Sequence, residues 1–324
     1  MFNRTESPNF QTEVDTLLPS YENPAIKVNG VTKLYRHFAA VKDLDLKVRR
    51  GEILGIVGHN GAGKTTTLKM LTGLVATTSD TIETMSVDIA RDSKHTKRFT
   101  GYLPEESPLY ENITVVEYLM FFSELYNMGK KQAQERIDLL LRALKLTERD
   151  KLTGELSKGM RRKVAIARTL LHNPKLLILD EPNSGLDPLT SFFIIDYLKT
   201  LRDEGKTIVL NAHNLFHIEY ICDRVAIMKN GELLVCDSMK SIRESLSNRE
   251  YEITFNANED LDCERSNGNY VFKAAEVGLI TSFLKNISEN DWALVDLSIR
   301  QSALEDIYVK LMNDAEKTPA SSNR

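Results

Sequence analysis

Short apolar runs alternate with amphipathic stretches through the middle of the chain. Four of the runs have the length and β-branched content of buried strands: EILGIVG, KLLILDE, KTIVLNAH and DRVAIMKNG. Two of the stretches between them have apolar residues at helical spacing: QAQERIDLLLRALKL and LTSFFIIDYLKTLRDEG. Because parallel strands covered by helices on both faces read as continuous apolar runs, the pattern predicts an α/β core.

The pattern changes at several points along the chain. Residues 102–173 have a mainly helical pattern and interrupt the strand series, which predicts a helical subdomain over the core. After residue 245 a new series reads β-β-α-β-α and predicts a small α+β accessory domain, near the lower size limit for an independent core. The predicted organisation is a flexible polar segment (1–22), an α/β domain (23–244), the accessory domain (245–315) and a disordered tail (316–324).

Composition and charge make some classes of function improbable for this chain. The 324 residues are 42% hydrophobic and carry a net charge of −4, so we expect no basic face for nucleic-acid binding. No apolar run approaches the roughly 18 to 20 residues that span a bilayer. The first residues resemble neither a secretory signal nor a transit peptide. The expected location is the cytoplasm, where the thiols of Cys222, Cys236 and Cys263 would be reduced.

A glycine-rich loop follows the first of the apolar runs. The letters GHNGAGKTT match the phosphate-binding pattern G-x-x-x-x-G-K-[ST] and stand between a predicted strand and a predicted helix. Backbone N–H groups of such a loop surround phosphate oxygens, Lys64 adds a positive charge, and the Thr65 hydroxyl is a ligand for Mg²⁺. The predicted phosphate-binding residues of the loop are Gly58, His59, Asn60, Gly61, Ala62, Gly63, Lys64, Thr65 and Thr66.

Two further strand ends carry polar residues suited to hydrolysis. Asp180 and Glu181 end the apolar run LLILDE, at the edge where α/β sheets bind ligands. We predict that Asp180 holds Mg²⁺ and that Glu181 polarises the attacking water. His213 ends another buried run, and its position beside two phosphate-handling elements favours a catalytic role over a structural one.

The stretch ELSKGMRRKVAIARTLLHNPKLLILDEP resembles the signature region of the ATP-binding cassette (ABC) ATPases, whose motif LSGGQ precedes the strand that carries the acidic pair. The resemblance covers about residues 25–240. It implies that Tyr35 stacks on adenine, that Glu105 stands at the Q-loop position and also ligates Mg²⁺, and that Asp187 is the D-loop aspartate. It further implies that the signature residues contact ATP held by another chain: Ser157, Lys158, Gly159 and Met160.

This resemblance sets the expected fold, cofactors and partners. The fold is a P-loop NTPase core with an ABC-type helical subdomain and an antiparallel β part. The cofactors are ATP and Mg²⁺, and the partners are a second ATP-binding subunit, identical or closely related, and a separate integral-membrane permease that docks near Glu105. The combination of GYLPE, LSKGM and ALEDIY is similar to the ATPases of ABC type-2 exporters. Positions that differ from the common ABC pattern include Asp80, Glu105, Lys158, Met160, Asn183 and Ala212.

Two alternatives remain open from the residues. A soluble ABC ATPase acting in translation or DNA repair is disfavoured, because the chain has one cassette and no heptad insertion. The unit after Ser245 is expected to be structural or to support a dimer, and a small-regulator site is the alternative; the charges at Asp260, Asp262 and Glu264 are interpreted as solvated. The basic run at Arg161, Arg162 and Lys163 is likewise interpreted as a solvated helix face.

Overall fold

The apolar run EILGIVG contains a strand that is buried at every position, β3 (Ile53–Val57). In the computed structural model of the chain, residues 23–246, 250–258, 261, 263–300 and 303–317 are described. Within them, β3 belongs to a six-stranded sheet. From edge to edge this sheet contains β10 (Glu232–Ser238), β9 (Arg224–Lys229), β3, β8 (Thr207–Asn211), β7 (Leu176–Asp180) and β6 (Thr100–Leu103). The strands from β9 to β6 pair in parallel, which confirms the predicted α/β core.

A second, antiparallel sheet lies in the same unit. Its order is β2 (Phe38–Val48), β1 (Ile26–Tyr35), β4 (Ser79–Thr84) and β5 (Val87–Asp88). In β1, Ile26 pairs with Val48 on one side and with Thr84 on the other. Buried residues of this sheet, among them Ile26, belong to the same hydrophobic cluster as Leu54 and Ile56 of β3. The predicted antiparallel β part is therefore present and shares its core with the parallel sheet.

Helices cover the parallel sheet and occupy most of the predicted helical segment. They are α1 (Lys64–Leu71), α2 (Ser93–Phe99), α3 (Val115–Leu125), α4 (Lys130–Ala143), α5 (Lys158–Leu170), α6 (Pro188–Asp203) and α7 (Leu215–Ile221). Thr114 and Glu117 form a reciprocal capping box at the start of α3, which satisfies two N–H groups that the helix leaves free. The apolar positions predicted for α4, among them Ile137 and Leu140, are buried. None of the described helices has the length and apolarity needed to cross a membrane.

The described residues divide into two compact units after Cys236. The second unit contains α8 (Met239–Leu246), β11 (Glu250–Asn256), β12 (Glu264–Ser266), β13 (Asn269–Ala274), α9 (Val277–Glu289), β14 (Ala293–Arg300) and α10 (Leu304–Lys317). Its antiparallel sheet has the order β12-β13-β11-β14. Aromatic side chains form its core, with the Phe255 ring centroid 5.2 Å from those of both Phe283 and Trp292.

The sequence pattern missed one strand of this second unit. The predicted β-β-α-β-α series has no strand between EYEITF and YVFKA, but Glu264–Ser266 form β12, which pairs with β13. All three residues of β12 are exposed, so no apolar alternation marks the strand. Helix α10 ends at Lys317, two residues inside the predicted tail. The predictions for residues 1–22, for Asp260 and Asp262, and for the tail beyond Lys317 lie outside the described residues.

Candidate active site

The glycine-rich loop connects β3 to α1 and lies against main chain on two sides. Gly63 precedes α1 with a φ of 102°, in the left-handed region that favours glycine. A Cβ atom at Gly63 would lie 2.5 Å from the carbonyl oxygen of Ala40, and one at Gly58 would lie 2.5 Å from that of Met228. Side chains at these two positions would therefore displace the loop. The N-terminus of α1 that follows the loop provides free N–H groups that favour a phosphate.

Lys64 is the first residue of α1, and its ammonium group lies within the loop. Its Nζ donates hydrogen bonds to the carbonyl oxygens of Gly58 at 2.7 Å and His59 at 3.1 Å. Burial lowers the pKa of Lys64, and the carboxylates of Glu181, Asp180 and Glu105 act in the opposite direction. The positive charge is thus held between the loop and the acidic residues.

Asp180 and Thr65 meet where β7 ends beside α1. The Thr65 hydroxyl donates to Oδ1 of Asp180 at 3.4 Å, and Nδ2 of Asn211 donates to the same oxygen at 2.7 Å. A hydroxyl and a carboxylate that converge in this way suit a hard divalent cation such as Mg²⁺, which prefers oxygen ligands. Asn211 also accepts a hydrogen bond from the backbone N–H of Glu181 at 2.7 Å. It therefore fixes both members of the acidic pair.

Glu181 follows β7 with its backbone in the left-handed region, at φ 49°. Its Oε2 accepts a hydrogen bond from the backbone N–H of His213 at 3.2 Å, and its Oε1 lies 3.4 Å from Nε2 of that histidine. The carboxylate is 4% exposed, and burial raises the pKa of Glu181, while the His213 side chain and its N–H oppose this rise. A carboxylate of raised pKa beside a histidine is suited to accept a proton from water.

Most of these residues line one cavity of about 310 Å³. Ten of the predicted residues line it: Tyr35, Asn60, Gly61, Gly63, Lys64, Thr65, Thr66, Glu105, Glu181 and His213. Of the remaining predicted residues, Gly58, His59 and Ala62 belong to the loop, and Asp180 adjoins the lining residue Asn211. Phe38, Ala40 and Asn211 also line the cavity and were not predicted. Phe38 and Tyr35 expose 62% and 45% of their surfaces, so both rings are accessible to a planar ligand.

The predicted signature and D-loop residues are not among those that line this cavity in the described part of the chain. Ser157 precedes α5, and its hydroxyl accepts a hydrogen bond from the backbone N–H of Met160 at 3.3 Å. The side chain of Lys158 lies over Gly185, and Gly159 lies beside Thr190. Asp187 precedes α6 and accepts from the N–H of Thr190 at 3.0 Å. The signature thus adjoins the D-loop, outside the cavity of its own chain.

Comparison with known proteins identifies the family. The family model described as ABC transporter matches residues 41–184. An uncharacterized ABC transporter ATP-binding protein of Synechocystis is 32% identical to this chain over 93% of its length and 90% of the relative's. The chain belongs to the ABC transporter ATP-binding proteins.

Two further similarities bear on the chemistry of this ABC protein. The linearmycin resistance ATP-binding protein LnrL of Bacillus subtilis is 35% identical over 64% of this chain and 68% of its own length. A dimeric ATP-binding cassette in a post-hydrolysis state, bound to ADP and Pi, has a TM-score of 0.61 at 27% identity, covering 66% of this chain and 98% of the other. The ABC chain described here is accordingly an ATPase with the P-loop NTPase fold.

The basic run after the signature corrects one interpretation made from the sequence of this ABC ATPase. It was interpreted as a solvated helix face, but Arg162 is only 8% exposed. Arg161 and Lys163 remain partly exposed: Arg161 donates hydrogen bonds to the carbonyl oxygens of Leu156 and Gly154, and Nζ of Lys163 lies 4.6 Å from the centroid of the Phe193 ring. Burial lowers the pKa of Arg162 to about 10, which leaves the guanidinium charged at neutral pH.

The sequence contains a pattern that predicts the burial of Arg162. On a helix, residues three and four positions apart share one face. The positions three and four residues after Arg162 are Ala165 and Ile166, and both are buried. Arg162 therefore lies on the apolar face of α5. Asn211 has a comparable signal, because it is a polar residue at the last position of a buried strand.

Proposed function

We propose that this chain hydrolyses ATP as half of a dimer in which two ATP molecules lie between the two chains. One observation carries the proposal. The cavity brings together the phosphate loop, Glu181 and His213, while the signature residues 157–160 lie outside it. A second chain would complete each site with its own signature. The dimeric cassette bound to ADP and Pi supports this arrangement by similarity.

Different residues of the chain have different roles in hydrolysis. The loop N–H groups and Lys64 bind and orient the phosphates, and Tyr35 stacks on the adenine. Thr65, Asp180 and Glu105 would hold Mg²⁺, which neutralises charge on the phosphate oxygens when it is bound. Glu181 accepts a proton from the attacking water, and His213 holds that carboxylate in place. Signature groups of the partner chain, Ser157 and Gly159, would close over the γ-phosphate.

A complementation experiment tests whether the site is shared between chains. The Lys64→Ala variant lacks a working phosphate loop, and the Gly159→Asp variant places a negative charge where the partner's γ-phosphate would lie. Each variant alone should be inactive. Mixing them creates dimers in which one site combines an intact loop with an intact signature, so ATPase activity should reappear. A mixture as inactive as its components would contradict the shared site.

A second test traps the dimer. Glu181→Gln removes the proton acceptor and keeps the shape of the side chain, so turnover should fall by about 100-fold or more. ATP should still bind, and light scattering after gel filtration should show an ATP-dependent doubling of mass. Unchanged turnover, or a variant that stays monomeric with ATP, would contradict the proposal.

We also propose that the dimer drives a separate membrane permease from the cytoplasmic face of the cell membrane, and that transport runs outward. The family membership, the resemblance to type-2 exporter ATPases and the similarity to a linearmycin resistance protein support this assignment. The helical segment 102–173 around Glu105 would form the docking surface. Affinity purification from detergent-solubilised membranes should recover an integral-membrane protein with several spanning helices. Recovery of ribosomes or nucleic acid instead would favour the soluble alternative.

For the accessory domain of residues 245–315 we propose a structural role that supports dimerisation. The aromatic core around Phe255 supports this assignment, because such a core can be independently stable. A chain ending at Ser245 should dimerise less well with ATP, and its ATPase rate should fall with it. Unchanged dimerisation and ATPase rate would contradict this role.

A further inference from the structure

The guanidinium group of Arg162 joins two loops of main chain beside the cavity. Arg162 is the fifth residue of α5, the helix that begins directly after Ser157. Its three nitrogens donate hydrogen bonds at 2.6 to 2.9 Å to five main-chain carbonyl oxygens: those of Pro104, Glu105, Asp180, Glu181 and Pro182. Arg162 does not line the cavity among the described residues, so its contacts are with the framework of the site.

The five carbonyls belong to the segments that carry the acidic residues of the cavity. One segment follows β6 and contains Glu105; the other begins at Asp180, the last residue of β7, and contains Glu181. The main chain at Glu181 is held on both sides, because its carbonyl oxygen accepts from Arg162 at 2.6 Å and its N–H donates to Asn211 at 2.7 Å. The left-handed backbone of Glu181 is thus maintained by its neighbours. The direction of the carboxylate follows from that backbone.

Only an arginine can make this set of contacts. Its planar group offers five N–H donors in a fixed fork, whereas a lysine offers three donors from one point and a glutamine amide two. The acceptors are neutral carbonyls spread over two segments, so a single compact donor cannot reach both. The carboxylates of Asp180, Glu105 and Glu181 also compensate the buried charge.

We propose that Arg162 is a positioning residue for ATP hydrolysis, which transmits movement of the signature helix α5 to the Glu105 and Glu181 segments. The inference rests on the proposed shared site. When the signature at the start of α5 contacts the ATP of one site, Arg162 adjusts Glu181, which serves the other site. The two sites of a dimer are thereby linked through a single side chain in each subunit. A misplacement of the carboxylate by about 1 Å is enough to slow the reaction about 100-fold.

The experiment compares Arg162→Gln and Arg162→Lys with Arg142→Gln in the full-length chain. Arg142 lies on the exposed face of α4, so its variant controls for the loss of one positive charge. For each protein, ATP affinity is measured by equilibrium binding, and kcat, KM and the Hill coefficient are measured per ATP-binding site. Counting only binding-competent sites removes the contribution of misfolded protein.

The expected result is a fall in kcat of about 10- to 100-fold for Arg162→Gln. ATP affinity should stay within about twofold, and the Hill coefficient should move towards one. Arg162→Lys should fold more readily and recover part of kcat, because it keeps the charge and some of the donors. In the Glu181→Gln background, Arg162→Gln should have little further effect on kcat, since both changes act through the same carboxylate.

Different results would overturn the role of Arg162 and the proposed function. If the wild type hydrolyses ATP and both Arg162 variants have kcat values per site within about twofold of the wild type, the positioning role is overturned. The shared site would then remain intact. Failure of the Lys64→Ala and Gly159→Asp mixture to recover activity would overturn the shared site itself. A loss of affinity as large as the loss of kcat would show that Arg162 supports only the folded cavity, and would also overturn the inference.

Discussion

The carboxylate of Glu181 contacts His213 at both the backbone and the ring. Oε2 accepts the backbone N–H of His213 at 3.2 Å, and Oε1 lies 3.4 Å from Nε2 of the ring. The two residues come from loops that follow β7 and β8, which are neighbouring parallel strands. The distance between them is therefore set by strand pairing in the sheet. The histidine ring is 57% exposed and faces the cavity, whereas the carboxylate is buried.

We expect His213→Ala to separate hydrolysis from ATP binding. The change removes the ring that adjoins Oε1 and keeps the backbone N–H that holds Oε2. Turnover should fall by about 100-fold, because the Glu181 carboxylate loses a contact that holds it in position. ATP affinity should change little, because Lys64 and the loop N–H groups hold the phosphates. Steady-state kinetics and equilibrium binding measure the two effects.

The control for this variant is His95→Ala, which alters an exposed histidine on α2. It should match the wild type in both measurements. If His213→Ala kept more than half of the wild-type turnover, the ring would have no role in hydrolysis.

We expect Asn211→Leu to reduce both stability and turnover. Asn211 is 1% exposed, and the change removes its hydrogen bonds to the Asp180 carboxylate and the Glu181 N–H. A buried polar group left without a partner costs about 1–3 kcal/mol. The free energy of unfolding, measured with urea, should fall by at least about that amount. Turnover per folded molecule should also fall, because both acidic residues lose a positioning contact.

The stability of the Asn211→Asp variant at different pH values tests the same bridging role. It keeps the size of the side chain but places a second carboxylate beside Asp180, where like charges repel. Its stability should recover as the pH is lowered and one of the two carboxyls becomes protonated. A stability equal to that of the wild type across the pH range would contradict the bridging role of Asn211.

We expect the negative charge of Glu105 to affect the affinity for ATP. Its carboxylate lines the cavity and is among the charges that act on Lys64. In the absence of divalent cations, Glu105→Gln should bind ATP about 3- to 30-fold more tightly, because one negative charge near the phosphates is removed. With Mg²⁺ present the gain should shrink, since a carboxylate that helps to hold the cation is lost.

Equilibrium binding with EDTA and with Mg²⁺ measures the two conditions. The matched control is Glu106→Gln, because Glu106 is exposed and does not line the cavity among the described residues. Equal ATP affinities for Glu105→Gln and the wild type without divalent cations would show that the carboxylate does not act on the phosphates.

The parts of the site that the sequence predicted are those that depend on local order. The phosphate loop must follow a strand and precede a helix, and both elements can be recognised in the residues around Gly58. The predicted position of Glu181 also depended only on the end of an apolar run. The contacts of Arg162 could not be predicted, because its acceptors lie 18 to 58 residues away in sequence. Those partners meet only after β6, β7 and α5 have packed.

The missed strand β12 shows the same limit in the second unit. An exposed strand of three polar residues buries nothing, so its conformation is determined by pairing with β13 and not by its own pattern. Asn211 is an intermediate case. Its place at the end of a buried strand was visible, but its two partners became evident only when β7 and β8 were paired.

The last prediction concerns the stability of the ATPase unit in mild acid. The ring of His172 stacks on Tyr126 with centroids 4.0 Å apart, and its Nε2 lies 3.1 Å from the carbonyl oxygen of Thr100. Burial lowers the pKa of His172 below its ordinary value of 6.5, the charges of Arg136 and Lys206 lower it further, and the Thr100 carbonyl opposes them. The folded chain therefore holds this histidine neutral at a pH where the unfolded chain binds a proton.

It follows that this contribution to stability is present above pH 6.5 and is lost as the pH falls through that value towards the lower pKa of the folded state. One proton changes the free energy of unfolding by at most about 1.4 kcal/mol per pH unit. His172→Phe keeps the aromatic stack and removes the titration, so its unfolding free energy should fall less steeply than that of the wild type between pH 7 and pH 5. Urea unfolding at several pH values measures the slopes. His95→Phe should keep the wild-type slope, and an equal slope for His172→Phe would mean that His172 titrates alike in the folded and unfolded chains.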